Sequence, residues 1–546
     1  MTQQGVKMTF IQKAQNFINS LSFVYAVALA VALIWLIGWE IAGFFMLVAF
    51  ACTTLLLQRN ATPFVVITSL VTYCLSLKQV PASIETGRVP ADFVWLAVAL
   101  MVLFAYMIFC VVYHKKKYPR QNNKFLNLGT SFAFCLVALA LAGLFSDQFS
   151  FGNNAIVVVL YALLFVIYLV LSSGDIPDYK KLIAHIIVAV GLVISFEVIV
   201  TIANCPDPIT YVARKMWVVG WGGPNNVATT MCFCIMMAFY LCLSNENPLY
   251  LVLAACFVVI ELLTVSRGNI YSLFLIMPFV GVYGFVKTKR KKAMALTLLA
   301  IVAVVALFVY TNQSLIDKLF EVMREKGLEN TPRRALWGYF VDLFNNNKLF
   351  GAGFFDPVSS TMYKPHAILV HILSGMGIFG LLVFGYHYYR KYIILLSHGS
   401  AFRFFAVMVC YQLFMYSVID MDFYMIYQNF LVLGVLEALK QEREELGKTT
   451  PILHVPVWAN VVICLLGIAL AIVGTVFVSD AIVWEEGLGW CLWEIDYIIT
   501  FACYVVGGVA LFISWGNLWR NNLKPVVKPK LKQLLAKIFG NKQTNK

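Results

Sequence analysis

Long apolar runs recur along the chain from Leu21 to Trp515, separated by short polar stretches. A run of about 18 or more apolar residues crosses a hydrocarbon core as a helix. The runs predict spans near 21–39, 41–57, 62–78, 93–113, 129–146, 155–172, 182–203, 227–243, 248–265, 270–286, 293–311, 368–388, 403–418, 421–438, 458–478 and 497–515. That makes about sixteen spans, in a range of roughly 12–16 because adjacent runs can share one crossing. The pair over 21–57 leaves room for a short re-entrant piece. Turn-rich segments of alternating polarity, which mark a membrane β-barrel, are absent. A helix satisfies its own backbone hydrogen bonds in lipid. The pattern therefore predicts an all-α, polytopic transmembrane bundle.

Composition strengthens this expectation. Of 546 residues 61% are hydrophobic and 12% charged, against about 25% charged in an average soluble domain. The formal net charge of +14 does not point to nucleic acid. The basic residues form short clusters between apolar runs, as an orientation signal does. The clusters are Lys115, Lys116, Lys117, Arg120 and Lys124; Lys287, Lys289, Arg290, Lys291 and Lys292; Arg390, Lys391 and Arg403; and the tail from Arg520 to Lys546. Threading the spans puts all of them on one side, expected to be cytoplasmic, with both termini inside. Asp147, Asp207, Asp480, Glu485, Glu486, Glu494 and Asp496 fall on the other side. The first apolar run follows Lys7 and Lys13 and reads as an uncleaved span. The thirteen cysteines are scattered, most inside apolar runs, and read as small core residues rather than metal ligands.

One connection is long and polar. From Asn312 to Pro365 it carries Lys318, Glu321, Arg324, Glu325, Lys326, Arg333 and Arg334. Loops of this length are usually functional. Leu315, Leu319 and Val322 have helical spacing within Gln313 to Lys326. The expected organisation is an N-terminal bundle over 1–311, an extracytoplasmic loop over 312–367, C-terminal spans over 368–520 and a basic cytoplasmic tail over 521–546.

Four arginines, Arg214, Arg267, Arg333 and Arg334, fall on the side where basic residues are disfavoured. Each alone reads as a side chain snorkelling to the interface. As a set they point to a shared anion, because the planar guanidinium pairs with phosphate. Arg267 lies in Ser266-Arg267-Gly268, which is also an ordinary tight turn, and Arg214 precedes the turn Gly222-Gly223-Pro224-Asn225-Asn226. Further on, Arg333-Arg334-Ala335-Leu336-Trp337 leads to Leu349-Phe350-Gly351-Ala352-Gly353. His366 opens the next span, followed by Gly377 and Gly380, which read as helix-packing glycines. A neutral imidazole at that position can take a proton near neutral pH.

The run from Arg333 to Gly380 resembles the signature region of the O-antigen ligase and polymerase superfamily. Its pattern is an arginine four residues before a tryptophan, an apolar-Gly-x-Gly turn, a histidine at a span start and two glycines three apart. Arg333, Trp337, Gly351, Gly353, His366, Gly377 and Gly380 fall in that order. The Ser266-Arg267-Gly268 junction and the Pro224-Asn225 turn are similar to earlier parts of the family pattern. The family's asparagine after the histidine is Ala367 here, and its acidic residue before the first glycine is replaced in the Ser374-Gly375 region.

The resemblance implies transfer of a glycan from a polyprenyl (undecaprenyl) diphosphate carrier to an acceptor hydroxyl, at the outer face of a bacterial cytoplasmic membrane. It implies catalytic roles for His366, Arg333 and Arg267, and substrate binding by Arg214, Arg334, Gly351 and Gly353. The acceptor would be a glycan, a lipid or a protein. No cofactor and no metal are implied. Asp420-Met421-Asp422 can start a helix or hold a divalent cation. A transporter or flippase of lipid-linked glycans is the alternative; it predicts two related halves and charges near the bilayer midplane.

Overall fold

The computed structural model describes residues 10–75, 94–119, 127–147, 149–174, 176–220, 222–311, 333–355, 368–395, 400–419 and 426–446, with isolated helical positions elsewhere. The chain divides into two units, Met1–Phe320 with Pro332–Thr450, and Glu321–Thr331 with Pro451–Lys546. The first holds every helix considered below. Of the second, only a few single helical positions are described.

In chain order the helices are α1 (Phe10–Ile18), α2 (Leu21–Ile37), α3 (Glu40–Leu57), α4 (Thr62–Cys74), α5 (Val94–Lys117), α6 (Gly129–Ala140), α7 (Phe151–Ser173), α8 (Tyr179–Ala203), α9 (Pro208–Ala213), α10 (Pro224–Asn245), α11 (Leu249–Leu263), α12 (Arg267–Lys287), α13 (Lys291–Thr311), α14 (Arg333–Asn346), α15 (Ile368–Leu395), α16 (Ala401–Ile419) and α17 (Ile426–Glu445). No β-strand occurs among the described residues, apart from one isolated bridge between Val219 and Gly222. Each predicted span up to residue 438 overlies one of these helices; that over 458–478, apart from a few helical positions, and that over 497–515 lie outside the described residues, as do His366 and Asp420 to Asp422.

Span number is where pattern and structure part. Among the described residues, seven helices are individually long and apolar enough to cross a bilayer: α3, α5, α7, α8, α10, α12 and α15; α1 and α2 together make a bent eighth candidate. By contrast α4, α6 and α11 have 13, 12 and 15 residues. At 1.5 Å per residue these reach only about 18–23 Å, short of a core of about 30 Å. An apolar run marks a buried segment, but only its helical length decides whether it crosses.

The core is organised around α10. Its span is 89% buried, and it packs against α8, α11, α12 and α16. Gly191 of α8 permits the closest approach: a Cβ there would stand 2.7 Å from Cys234 Sγ and 2.9 Å from the Phe257 ring. Cys234 Sγ donates to the Ile187 carbonyl at 3.1 Å. Small residues that let backbones approach are the expected packing device where lipid removes the hydrophobic drive between helices. A second cluster joins α6 and α7 to α15 and α17. There the Ser131 hydroxyl meets His387 Nδ1 at 2.9 Å, both buried. At one end of this cluster Lys180 pairs with Glu442 at 2.9 Å, and Lys440 pairs with Glu437 at 3.2 Å out of contact with solvent.

Candidate functional site

Two polar breaks interrupt the apolar bundle. The first lies where α9, α10, α11 and α12 meet. Asp207 caps α9, accepting from the Thr210 amide at 3.2 Å, and α9 ends at Arg214 and Lys215. Lys215 adopts φ +55°, a left-handed conformation that disfavours a side chain. That turn carries the chain into the tight reversal Val219–Gly222, closed by reciprocal 3.2 Å backbone bonds. Gly223 and Pro224 then start α10, proline fitting the first helical position because its missing N–H would have no partner there. Lys215 Nζ donates to Asn225 Oδ1 at 2.8 Å. A cation is thus held at the positive end of α10, against the helix dipole.

The α11–α12 junction closes the same corner. Thr264 Oγ1 donates to the Glu261 carbonyl at 2.6 Å and accepts from the Ser266 amide at 3.2 Å. Between them Val265 has φ +51°. A β-branched residue there is a steric outlier costing about 1–3 kcal/mol. The strain turns the chain so that Arg267 begins α12. Asn269 then bridges the two helix starts. Its Nδ2 donates to Ser266 Oγ at 3.1 Å and to the Asn225 carbonyl at 3.4 Å, while its Oδ1 accepts from Thr229 Oγ1 at 3.3 Å. The Pro224-Asn225 turn and the Ser266-Arg267 junction, some forty residues apart in the chain, form one corner. Basic residues stand at both of its helix starts. Arg214 is exposed at its rim.

The second break is in α15. The helix is interrupted at Gly377, with φ +65° and ψ −157°, a region open essentially to glycine alone. An unbroken helix would bond Ile378 N–H to the Ser374 carbonyl and Phe379 N–H to the Gly375 carbonyl. Instead the segment after α14 takes over both sides of that exchange. Ala352 N–H donates to Ser374 O at 2.7 Å and Gly353 N–H to Gly375 O at 3.0 Å. Ile378 N–H donates to Lys348 O at 2.9 Å and Phe379 N–H to Leu349 O at 3.1 Å. Phe350 O accepts from Gly143 N–H at 2.7 Å. Two helical bonds are lost and four cross-links replace them, so the break leaves these backbone groups satisfied, as a low-dielectric site requires. Phe350 seals it, its ring 5.2 Å from Phe379 and 5.4 Å from Phe145.

The glycines of this bracket differ in what surrounds them. Gly351 has φ +68° and faces the Gly375–Met376 backbone with no room for a Cβ. A Cβ on Gly377 would stand 2.5 Å from the carbonyls of Lys348 and Leu349. Gly353, at φ +91°, has nothing within 4 Å in that direction among the described residues. Gly351 and Gly377 are therefore consumed by the bracket, and Gly353 has open space beside it.

Arg333 and Arg334 open α14, which packs on α15. His371 lies in the first turn of α15, buried, with its ring 5.5 Å from Phe354. Corner and bracket are linked through α16, which packs against α10, α12 and α15; Ser272 of α12 donates to Gln412 Oε1 of α16 at 2.6 Å.

Three features of the corner were not picked out from the sequence. Lys215 was overshadowed by its neighbour Arg214. Asn269 carries no motif of its own. Glu261 is wholly enclosed, with neither carboxylate oxygen hydrogen-bonded, and feels the positive charge of Lys215. An acid inside an apolar run is a functional candidate by default, and that signal would have found Glu261 and also Glu197, which is equally enclosed in α8.

No curated protein matches the chain. Residues 249–385, from the start of α11 into α15 and including the Arg267 junction, α14 and the Gly377 bracket, match the family model described as O-antigen ligase, which supports the O-antigen ligase/polymerase superfamily.

Proposed function

We propose that the protein is a membrane glycosyltransferase of the O-antigen ligase or polymerase type. It moves a glycan from a polyprenyl diphosphate carrier to an acceptor hydroxyl at the outer face of a bacterial cytoplasmic membrane. The family match over residues 249–385 is the observation that carries this reading. The α10–α12 corner supports it, because it gathers Lys215, the start of α10 and the start of α12 at Arg267. A cation placed at a helix N-terminus is unfavourable unless an anion joins it, and a phosphate suits both partners.

The assigned roles are as follows. Arg267 and Arg333, with Arg214, Arg334 and Lys215 as further contacts, bind the lipid diphosphate. Gly353 leaves room for the substrate, and Gly351 holds the turn that presents it. The acceptor oxygen attacks the anomeric carbon, and its proton passes to His366. The bond from that carbon to the diphosphate breaks, and the diphosphate leaves with the electron pair. It is a good leaving group without protonation, so the cations need only stabilise the charge that develops on it. No metal is called for in this scheme.

The test is transfer from a polyprenyl diphosphate glycan in proteoliposomes. His366→Ala and Arg333→Ala are expected to lower transfer by about 10²–10⁴-fold with normal protein abundance. Full activity in both variants overturns the proposed site.

A further inference from the structure

Helix α1 stands apart from the bundle in a way that has a physical use. None of its residues is buried. Its apolar residues, Phe10, Ile11, Ala14, Phe17 and Ile18, fall within one arc of about 120° at 100° per residue, and Gln12, Lys13, Gln15 and Asn16 occupy the rest. Phe10 is 85% exposed, Ile11 68% and Phe17 47%. The helix meets α2 at 77°.

The corner between α1 and α2 is built, not frayed. Ser20 donates to the Phe17 carbonyl through both its amide, at 2.9 Å, and its hydroxyl, at 2.7 Å. Asn19 Nδ2 donates to Gln15 O at 2.8 Å. The side-chain amides of Asn19 and Gln58 bond reciprocally at 3.3 Å each way, which ties the corner to the end of α3. Phe17 also meets Phe23 edge-on at 5.8 Å. If α2, about 26 Å long, crosses the bilayer near its normal, this angle lays α1 close to the membrane plane. The alternative, that α1 extends the span of α2, would bury Lys13 and bend the span almost at a right angle.

The surrounding face is basic. His114 Nδ1 contacts the Leu55 carbonyl at 2.9 Å, and Lys117 Nζ reaches Leu56 O at 3.5 Å, so α3 and α5 end side by side. Exposed Lys13, Arg59, Lys115, Lys116 and Lys117 all lie at this end of the molecule. We propose that α1 is an interfacial helix that lies in the headgroup layer of the adjacent leaflet, with Phe10, Ile11 and Phe17 in the acyl boundary and Lys13 among anionic phospholipid headgroups. Amphipathic helices with cationic polar faces bind membranes in this way, and clustered lysines and arginines attract anionic lipid.

The experiment places a nitroxide label at Phe10→Cys or Lys13→Cys in the full chain, in a background whose accessible cysteines are serines. The protein is reconstituted in phosphatidylethanolamine–phosphatidylglycerol vesicles. Neither position contacts the core, so the bundle should tolerate both labels. Oxygen is expected to relax the label at position 10 more strongly than a water-soluble nickel chelate does, with the order reversed at position 13. Nickel dominating at both positions would put α1 in water and overturn the proposal. Dipolar broadening between labels at position 10 would overturn it too, because a second copy would then cover the apolar face.

Discussion

The corner of α10–α12 and the bracket at Gly377 both admit polar backbone into an apolar bundle, yet they are made from different parts of the chain. The corner is held by side chains: Lys215, Asn225, Thr229, Thr264, Ser266 and Asn269. The bracket is held by main chain, with glycine wherever a Cβ would intrude. A side-chain junction can lose one contact and relax around it. A main-chain junction has no rotamers to spare, so it breaks as a unit. The same contrast suggests a division of labour. The corner exposes charge and suits ligand binding, while the bracket fixes where α14 and the start of α15 stand relative to each other.

The bracket should therefore show the largest response. Gly377→Ala places a methyl 2.5 Å from two carbonyl oxygens in a conformation reserved for glycine. The strain and the lost cross-links together are expected to cost about 3 kcal/mol or more. In detergent this variant should melt well below the parent or fail to accumulate, as followed by size-exclusion with thermal challenge. A melting temperature equal to the parent's would mean that the four cross-links are not what holds α15.

Asn269→Leu tests the corner at its most connected residue. It leaves the Asn225 carbonyl, Ser266 Oγ and Thr229 Oγ1 without this partner. Burying such groups unpaired costs about 1–3 kcal/mol, so the expected loss is smaller than for Gly377→Ala. Transfer should fall too, because the two helix starts are no longer tied. If Asn269→Leu proves the more damaging of the two to stability, the contrast between side-chain and main-chain junctions fails.

Gly353→Ala separates the glycines of the bracket. With nothing within 4 Å among the described residues, the new methyl meets no neighbour there, and its φ of +91° is penalised by about 1–2 kcal/mol. A modest drop in melting temperature with a large drop in transfer would mark Gly353 as a place where substrate approaches. Equal loss in both would make it a structural glycine like Gly377.

Much of this was legible in the sequence, and the limits have physical causes. The pattern of apolar runs located α2 to α8, α10 to α13 and α15 to α17, because helices in lipid must be apolar along their length. It counted α4, α6 and α11 as full crossings although their helices have 13, 12 and 15 residues, because apolar content does not reveal where a helix stops. The glycines at 351, 353 and 377 were visible as a pattern. Their shared backbone exchange was not, since it depends on carbonyls of α15 freed by a break at Gly377, a glycine that reads in sequence as a helix-packing residue. Arg267 and the Pro224-Asn225 turn were visible as separate motifs. Only Asn269, unremarkable in sequence, makes them one corner. Helix α1 was not picked out in the sequence, where Lys13 served only as a flank of the first span, and its angle to α2 is held by contacts such as the amide pair between Asn19 and Gln58.

The smallest expected change in stability comes at Lys215, and there the two kinds of effect can be pulled apart. Lys215 pays for its position in backbone strain, at φ +55°. Lys215→Gly relieves that strain, by about 1 kcal/mol. It also removes the bond to Asn225 Oδ1 and the charge beside Glu261. A hydrogen bond to a charged group contributes about 1.5–3 kcal/mol, discounted here because Lys215 is part-exposed and the released groups can reach water. The net change in stability should lie within about 1 kcal/mol of zero. Donor binding has no such compensation. Losing one cation from a phosphate site should raise the KM for the polyprenyl diphosphate donor about tenfold, roughly 1.4 kcal/mol, with a smaller effect on kcat. A residue kept only to end α9 would give the opposite result: a more stable protein with unchanged kinetics. That outcome would return Lys215 to the status of a turn residue and leave the corner's ligand to the arginines alone.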